Sequence, residues 1–478
     1  MKKVSIIGAL FLLPTIVFPK YSKIASEFLE NSYEIEQLKL KTIESQYQFN
    51  LIEGFYPWSF NTSIYSRESN PDALFDFQAR ETRTQSFDIG IQRSFDYGTH
   101  LDVKHSRIRY DLSQWPSQSI ATLGDDQLYE TQNTFIIKQN LWNNSFGRSR
   151  RLDLSIAGEE LNLSQLSIKQ EKQQTLFNLY QGYIRSRLSL TLKKLNMDYV
   201  LTKEKRLRLI GRKLKDNTVD RIDYYRSKMN LTIAKEKLEE SNNNLLEGLS
   251  NLSNILDRAF TTSEIAPYNV ESINLIPVVK QDINQNYDLK INQLEQNILN
   301  QKSKQLSDKS APNLDLSYSL TQNAIEDSQD QSVIEAFPGR ENKEQTIMLE
   351  FSTPLGESTA KVEESLNRIQ AQRKSIQGIQ IKREIENNAD LIFKRIESIK
   401  QEIELGKERN KFSKLVLSES QKEFNRGRID LEELLQAEEE VIAANISIIQ
   451  KLNRYELLVG QYYFLTSKFN QKIAQYQE

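Results

Sequence analysis

Cysteine is absent from the 478 residues, and histidine occurs twice, at His100 and His105. The first absence excludes disulfides, thiolate metal sites, a cysteine nucleophile and lipidation through an N-terminal cysteine. The second leaves almost no material for a histidine metal site or acid–base pair. Breakers are scarce, with 16 Gly and 10 Pro in the whole chain, so long uninterrupted elements are expected. No sign of charge dominates, and a net charge of -2 offers nothing to nucleic acid or an anionic surface. There is no phosphate loop, nucleophile elbow or metal set. No carboxylate pair sits in a Gly-rich or apolar context that would raise a pKa. Neither an enzyme nor a cofactor is expected. Past the N-terminus no run approaches ~18 consecutive apolar residues, so no helix is expected to span a membrane. A membrane form would have to be built from β-structure.

What is present begins with Met1 to about Pro19, which reads as a secretory signal. Lys2 and Lys3 precede the apolar run Val4–Phe18. No small-x-small triplet marks a cleavage point, and an uncleaved anchor is the alternative. The hydrophobic share of 38% and charged share of 27% suit helices with one wet side. Tyr21 to Gln48 reads as one helix. From Glu53 to Trp142 the chain is β-rich, with alternation through Phe87, Ile89 and Ile91, a turn at Asp96-Tyr97-Gly98, and alternation again from Leu101. The apolar phase slips between Val103 and Ile108, which predicts a bulge. Phe135, Ile137 and Leu141 share one phase. From about Arg150 a helical period runs to about Lys215, roughly 65 residues or on the order of 100 Å. Asp216-Asn217-Thr218 breaks it, and a second helix reaches about Leu256.

The same order then recurs. Asp282 to Leu306 is helical, Leu314, Leu316, Tyr318 and Leu320 alternate, Thr321 to Lys343 is a polar loop, and Ile347, Leu349 and Phe351 alternate again. A very long helix follows to Phe424. The strand ends match: Ile137 to Gly147 parallels Leu349 to Gly356, each a strand that meets a Gly-bearing break before a long helix. The chain is therefore a duplication. The first repeat takes 20–257, with strands at about 54–142 and a helical hairpin at about 150–257. A linker or equatorial segment takes 258–280. The second repeat takes 281–478, with strands at about 312–353 and a hairpin at about 357–468.

The segment that best defines the second hairpin is its turn. Gly427 interrupts the helix that runs into Phe424. Asp430 is placed as a new N-cap, with Glu432 and Glu433 in the first turn, where acids suit the helix dipole. Leu431, Leu434, Leu435, Val441, Ile442 and Ile446 continue the apolar stripe. Arms this long need neighbours. Four or six strands are too few for a pore-sized barrel from one chain, and open edges in lipid are excluded. Strands of ~9–11 residues suit an outer-membrane barrel. Trp58, Trp115 and Trp142 lie where an interfacial girdle would need them, or else pack a soluble β-subdomain. Oligomerisation solves both problems: several chains close one barrel, and their helices pack into a tube. Ala360, Ala371, Ala443 and Ala444 would permit close helix packing.

This α+β membrane-protein pattern, a duplicated helix–strands–long helical hairpin, resembles the TolC family of outer-membrane efflux proteins over nearly the whole chain. The most specific match is Phe424, Gly427, Asp430, Leu434, Leu435 and Ala437, which follow the family's aromatic, Gly, polar turn and Leu-Leu-x-Ala. The first repeat matches more weakly, with Asn217 where Gly is usual. The resemblance implies a homotrimer with a shared outer-membrane β-barrel, surrounded by outer-membrane lipid and continued by an α-helical periplasmic tunnel (an α-barrel). It implies a passive conduit for efflux or type I secretion, engaged by a periplasmic adaptor (membrane fusion) protein and an inner-membrane transporter. By the same resemblance Asn217, Arg426, Gly427, Arg428 and Asp430 form the periplasmic tips and meet the adaptor. Glu433, Gln436 and Asp223 then lie at the tunnel entrance, Gln436 without the acid expected there. The alternative from the residues alone is a soluble periplasmic coiled-coil adaptor or structural interaction protein. An adaptor would carry one hairpin, whereas here the helix–strand–helix order occurs twice.

Overall fold

The structure, a computed structural model, describes residues 19–54, 56–70, 81–113, 127–270, 273, 275, 277–336, 342–353, 355–356 and 359–469. The expected signal segment and Trp115 lie outside these. Helices α1 (Pro19–Asn31) and α2 (Tyr33–Glu53) lead into β1 (Ser59–Ser69), β2 (Glu81–Ser94), β3 (Thr99–Ser113) and β4 (Gln127–Asn140). Then come α3 (Arg148–Lys215), α4 (Arg221–Leu256), α5 (Tyr287–Lys309), β5 (Asn313–Glu326), α6 (Gln329–Glu335) and β6 (Lys343–Ser352). The chain closes with α7 (Thr359–Asn425) and α8 (Leu431–Leu465). The chain divides into two compact units, each drawn from both repeats: 1–43, 165–291 and 377–478 in one, 44–164 and 292–376 in the other.

The second unit is built on a six-stranded antiparallel meander in the order β1-β2-β3-β4-β5-β6. Side chains alternate faces along a strand, so the register sorts them. Phe60, Ile91, Val103, Phe135 and Leu320 form one cross-strand row. Ile347, Leu349 and Phe351 extend the same face on β6. That apolar face is open: Ile347 is 76% exposed and Ile64 80%. The opposite face is polar, with Lys104 3.4 Å from Asp88 and Lys138 2.8 Å from Asp315.

The expected bulge in β3 is absent. Its pairing with β2 runs without interruption from Glu81↔Ser113 to Ser94↔His100. The phase slip has another cause. Leu101 and Val103 lie on the apolar face, whereas Ile108, Tyr110 and Leu112 lie on the other. β2, β3 and β4 have 14, 15 and 14 residues, longer than β1 or β6 with 11 and 10. They continue past the apolar band, and in β3 the apolar side changes there. Three further expectations need correction. The single helix over Tyr21 to Gln48 is broken at Ser32, where the Ser32 hydroxyl accepts the Glu34 N–H at 3.2 Å and Asp257 accepts that of Tyr33 at 3.1 Å. The loop after Leu320 holds the rest of β5 and α6, which Ser328 caps. Asp282 to Asn286 is a 3-10 turn, so α5 starts only at Tyr287.

At the strand-to-helix junctions both glycines take positive φ, Gly147 at 75° and Gly356 at 106°. A Cβ on Gly147 would lie 1.7 Å from the Asp96 carbonyl oxygen, so no other residue fits that junction.

The first unit packs α1, α3, α4, α7 and α8 around Phe28, Tyr183, Ile184, Leu252, Ile396 and Tyr455. Residues 258–270 are pinned to it. Glu456 accepts from Arg187 at 2.8 Å and from the Tyr268 hydroxyl at 2.7 Å, and Arg187 also donates to the Ala266 carbonyl. Burial pushes the Glu456 carboxyl up, while Arg187 and Tyr268 pull it back. Of the small residues expected at helix contacts, Ala371 and Ala444 are buried, Ala360 is half-buried and Ala443 is exposed. No helix among the described residues is long and apolar enough to cross a membrane.

Candidate functional site

The two helical turns share one geometry. Gly427 has φ 72° and Asn217 φ 51°, the left-handed region that Gly adopts freely and Asn tolerates. The Arg428 N–H reaches back to the Glu423 carbonyl at 3.0 Å, and the Thr218 N–H to that of Lys213 at 2.9 Å. These are 6→1 bonds that close a helix C-terminus. Asp430 caps α8 through Oδ1, which accepts the Glu433 N–H at 2.8 Å. Asp220 stands at the same place before α4 but makes no side-chain cap bond. Beneath the turns Ile210, Phe424, Leu431, Leu434 and Leu435 form a small core.

Asp223 and Glu433 are each the third residue of their helix, α4 and α8. Glu433 and Gln436 are exposed and Asp223 is half-buried. Arg426 and Arg428 both pair with Glu423, at 2.7 and 3.2 Å, so each turn arginine is held by its own helix. Arg226 on α4 meets Glu432 on α8 at 2.9 Å and ties the two turns together. Trp58 and Trp142 are each 51% exposed. Trp58 packs edge-on to Phe95 under the Arg93 guanidinium, and Trp142 lies against Phe351. Both stand near the strand ends that face the helices, on the border of the apolar face.

Sequence reasoning missed one group. Glu438 on α8 is buried and accepts from Lys203 Nζ at 3.0 Å and from Arg206 Nη2 at 2.6 Å. Lys203 and Glu438 are 1% and 2% exposed. Lys203 also stands 5.0 Å from the Tyr199 ring. Burial, with Glu439 and Glu438 nearby, pushes the Tyr199 hydroxyl up to about 12. The signal was available: Glu438 follows Leu431, Leu434 and Leu435 on the i, i+3, i+4, i+7 stripe, where a charge needs a partner.

No family model matches the sequence, and no curated protein does. Solved structures do. The outer membrane protein VceC of Vibrio cholerae matches with a TM-score of 0.65 at 11% identity, over 94% of this chain and 97% of that one. The CmeC outer membrane channel of Campylobacter jejuni matches at 0.64 and 11%, over 96% and 89%. The MtrE outer membrane channel of Neisseria gonorrhoeae, in its open state, matches at 0.67 and 12%, over 94% and 90%. At such identities the likeness is one of fold, and this chain has the fold of the TolC-family outer-membrane channels.

Proposed function

We propose that the protein is an outer-membrane channel, a homotrimeric conduit that extends into the periplasm and passes solutes without chemistry of its own. The observation that carries this reading is the six-stranded sheet. One face is apolar and open, the other is polar, and β1 and β6 are its edges. Lipid outside and water inside account for both faces, and closure with other copies removes the edges. The long helices support the same assembly. α7 exposes Ile379, Leu405, Phe412 and Val416, and α4 exposes Ile222, Tyr225, Met229 and Leu246. Apolar stripes at helical spacing on separate helices suit packing against neighbouring copies. The turns at Asn217 and Gly427 are the periplasmic tips in this reading. There they meet an adaptor protein and, through it, an inner-membrane transporter that supplies the energy of efflux or secretion.

Glu433, exposed in the first turn of α8, lines the tunnel entrance. Outer-membrane fractions should contain a heat-modifiable trimer, and the purified protein should open channels in planar bilayers. A soluble periplasmic monomer would sink the proposal in favour of an adaptor. Glu433→Gln should raise single-channel conductance or alter its block by cations, because a ring of carboxylates would be neutralised. An unchanged trace removes Glu433 from the entrance.

A further inference from the structure

The apolar face of the sheet is not uniform. Phe60, Ile89, Ile91, Val103, Phe135 and Leu320 line a trough of about 510 Å³. Directly beyond it along the same strands lies a groove of about 380 Å³, with Ile64 and Phe87 at its near end and Arg107, Arg109, Tyr129 and Glu130 further on; alternation turns Glu130 to the other face, where its carboxylate accepts from the Tyr110 hydroxyl at 2.8 Å. The register makes the two continuous. Ile89 pairs with His105 and Phe87 with Arg107, so trough and groove occupy successive rows of one face. Helix α6 walls the groove. Ser332 is 2.9 Å from the Thr131 hydroxyl, and Asn133 donates to the Ala336 carbonyl at 2.8 Å.

Arg107 is held ready for an acceptor, whereas Arg109 already shares the Asp111 carboxylate. Arg107 donates Nε–H to His105 Nε2 at 3.1 Å, and His105 Nδ1 is 2.7 Å from Asn133. Among the described residues Arg107 meets no carboxylate, so its two Nη groups remain for a ligand. Arg109 is anchored by Asp111 through Nε and Nη2, each at 2.9 Å. Arg83, exposed on β2, shares this face and stands opposite Asp111. A planar guanidinium fork matches a phosphate, and an apolar trough leading into it matches an acyl chain.

We propose that this face binds one phosphorylated lipid of the surrounding membrane, with an acyl chain in the trough and its phosphate on Arg107 and Arg109. The inference rests on the reading that the sheet stands in a membrane. Both charge and shape argue for a lipid over a free phosphate, because the basic end is entered from the apolar end.

The test measures lipid that stays with the purified, detergent-washed protein by native mass spectrometry, with lipid A as probe. Dephosphorylated lipid A and inorganic phosphate serve as comparisons. Lipid A should be retained, and the two comparison probes should not. The double variant Arg107→Gln/Arg109→Gln should lower lipid A affinity roughly tenfold or more, on the basis of about 1 kcal/mol per basic residue near a membrane surface. Val103→Trp, which fills the trough and leaves the arginines in place, should also lower it. Lys343→Gln, on the same face but outside the groove, should not. Equal retention by the double variant, equal retention of the dephosphorylated lipid, or binding of phosphate alone would each overturn the proposal. So would an equal loss in the Lys343 variant, which would mean that any basic residue at this level holds lipid. A channel-forming oligomer that keeps no lipid A refutes the lipid site alone. A soluble monomer refutes the channel reading instead.

Discussion

Glu438 lies on the apolar stripe of α8, and its partners decide what that costs. An ionised carboxylate taken out of water is unfavourable by several kcal/mol unless paired, and Lys203 with Arg206 supplies the pairing. Removing one member leaves the others charged and buried. Glu438→Gln should therefore destabilise the protein by about 3–5 kcal/mol, read as a fall in the thermal midpoint. Replacing the set together, as Lys203→Met with Arg206→Leu and Glu438→Leu, should restore most of the loss. If the single variant melts with the parent, the triad carries no stability. The contrast with Glu433 shows what sequence can reveal at this scale. Glu433 was legible because a first-turn acid behind an N-cap is a local pattern. The partners of Glu438 lie more than 230 residues away on α3, and only its place on the stripe hinted that it was inward.

The turns and strands were more legible as elements than their residues were as contacts. Two helical periods interrupted at Asn217 and Gly427 located both hairpins, because φ > 0 restricts the residue type there. Gly427 has open space around the position of a Cβ, so backbone strain alone would decide a substitution. Gly427→Val should cost about 1–2 kcal/mol, the left-handed penalty for an L-residue. Gly427→Asn should cost much less, since Asn217 already occupies the equivalent place. Chemical unfolding followed by helical circular dichroism would rank the two, and equal losses would mean that the turn relaxes out of the left-handed region. In the sheet, alternation identified the strands but misjudged β3. A strand that changes its apolar side part-way along produces the same one-residue slip as a bulge. Only the pairing of β3 with β2 and β4 separates the two.

Strand number matters most for the whole molecule, and the sequence left it at four or six because the alternating segments over 87–112 read equally as added barrel strands or as a hairpin above the membrane. Pairing places all six in one sheet with β1 and β6 at its edges. The meander has an even number of strands, so in the proposed assembly β6 of one copy would meet β1 of the next antiparallel, and a ring would close without a mismatch. Three copies of a six-stranded sheet would make a barrel of about eighteen strands, the size at which an aqueous channel remains open inside. The polar face, with Asp88, Lys104, Lys138 and Asp315, is suited to line it. The absence of cysteine makes the closure directly testable. Single cysteines placed at Ser63 or Tyr65 on β1 and at Thr346 or Met348 on β6 should form disulfides between copies wherever their Cα atoms come within about 4.4–6.8 Å. A variant with one cysteine on each edge strand should run as a covalent trimer without reductant and as a monomer with it, and the pairs that react would give the register of the seam. If no β1–β6 pair reacts while β1–β2 pairs within one chain do, the edges are closed by something other than another copy, and the eighteen-stranded barrel fails.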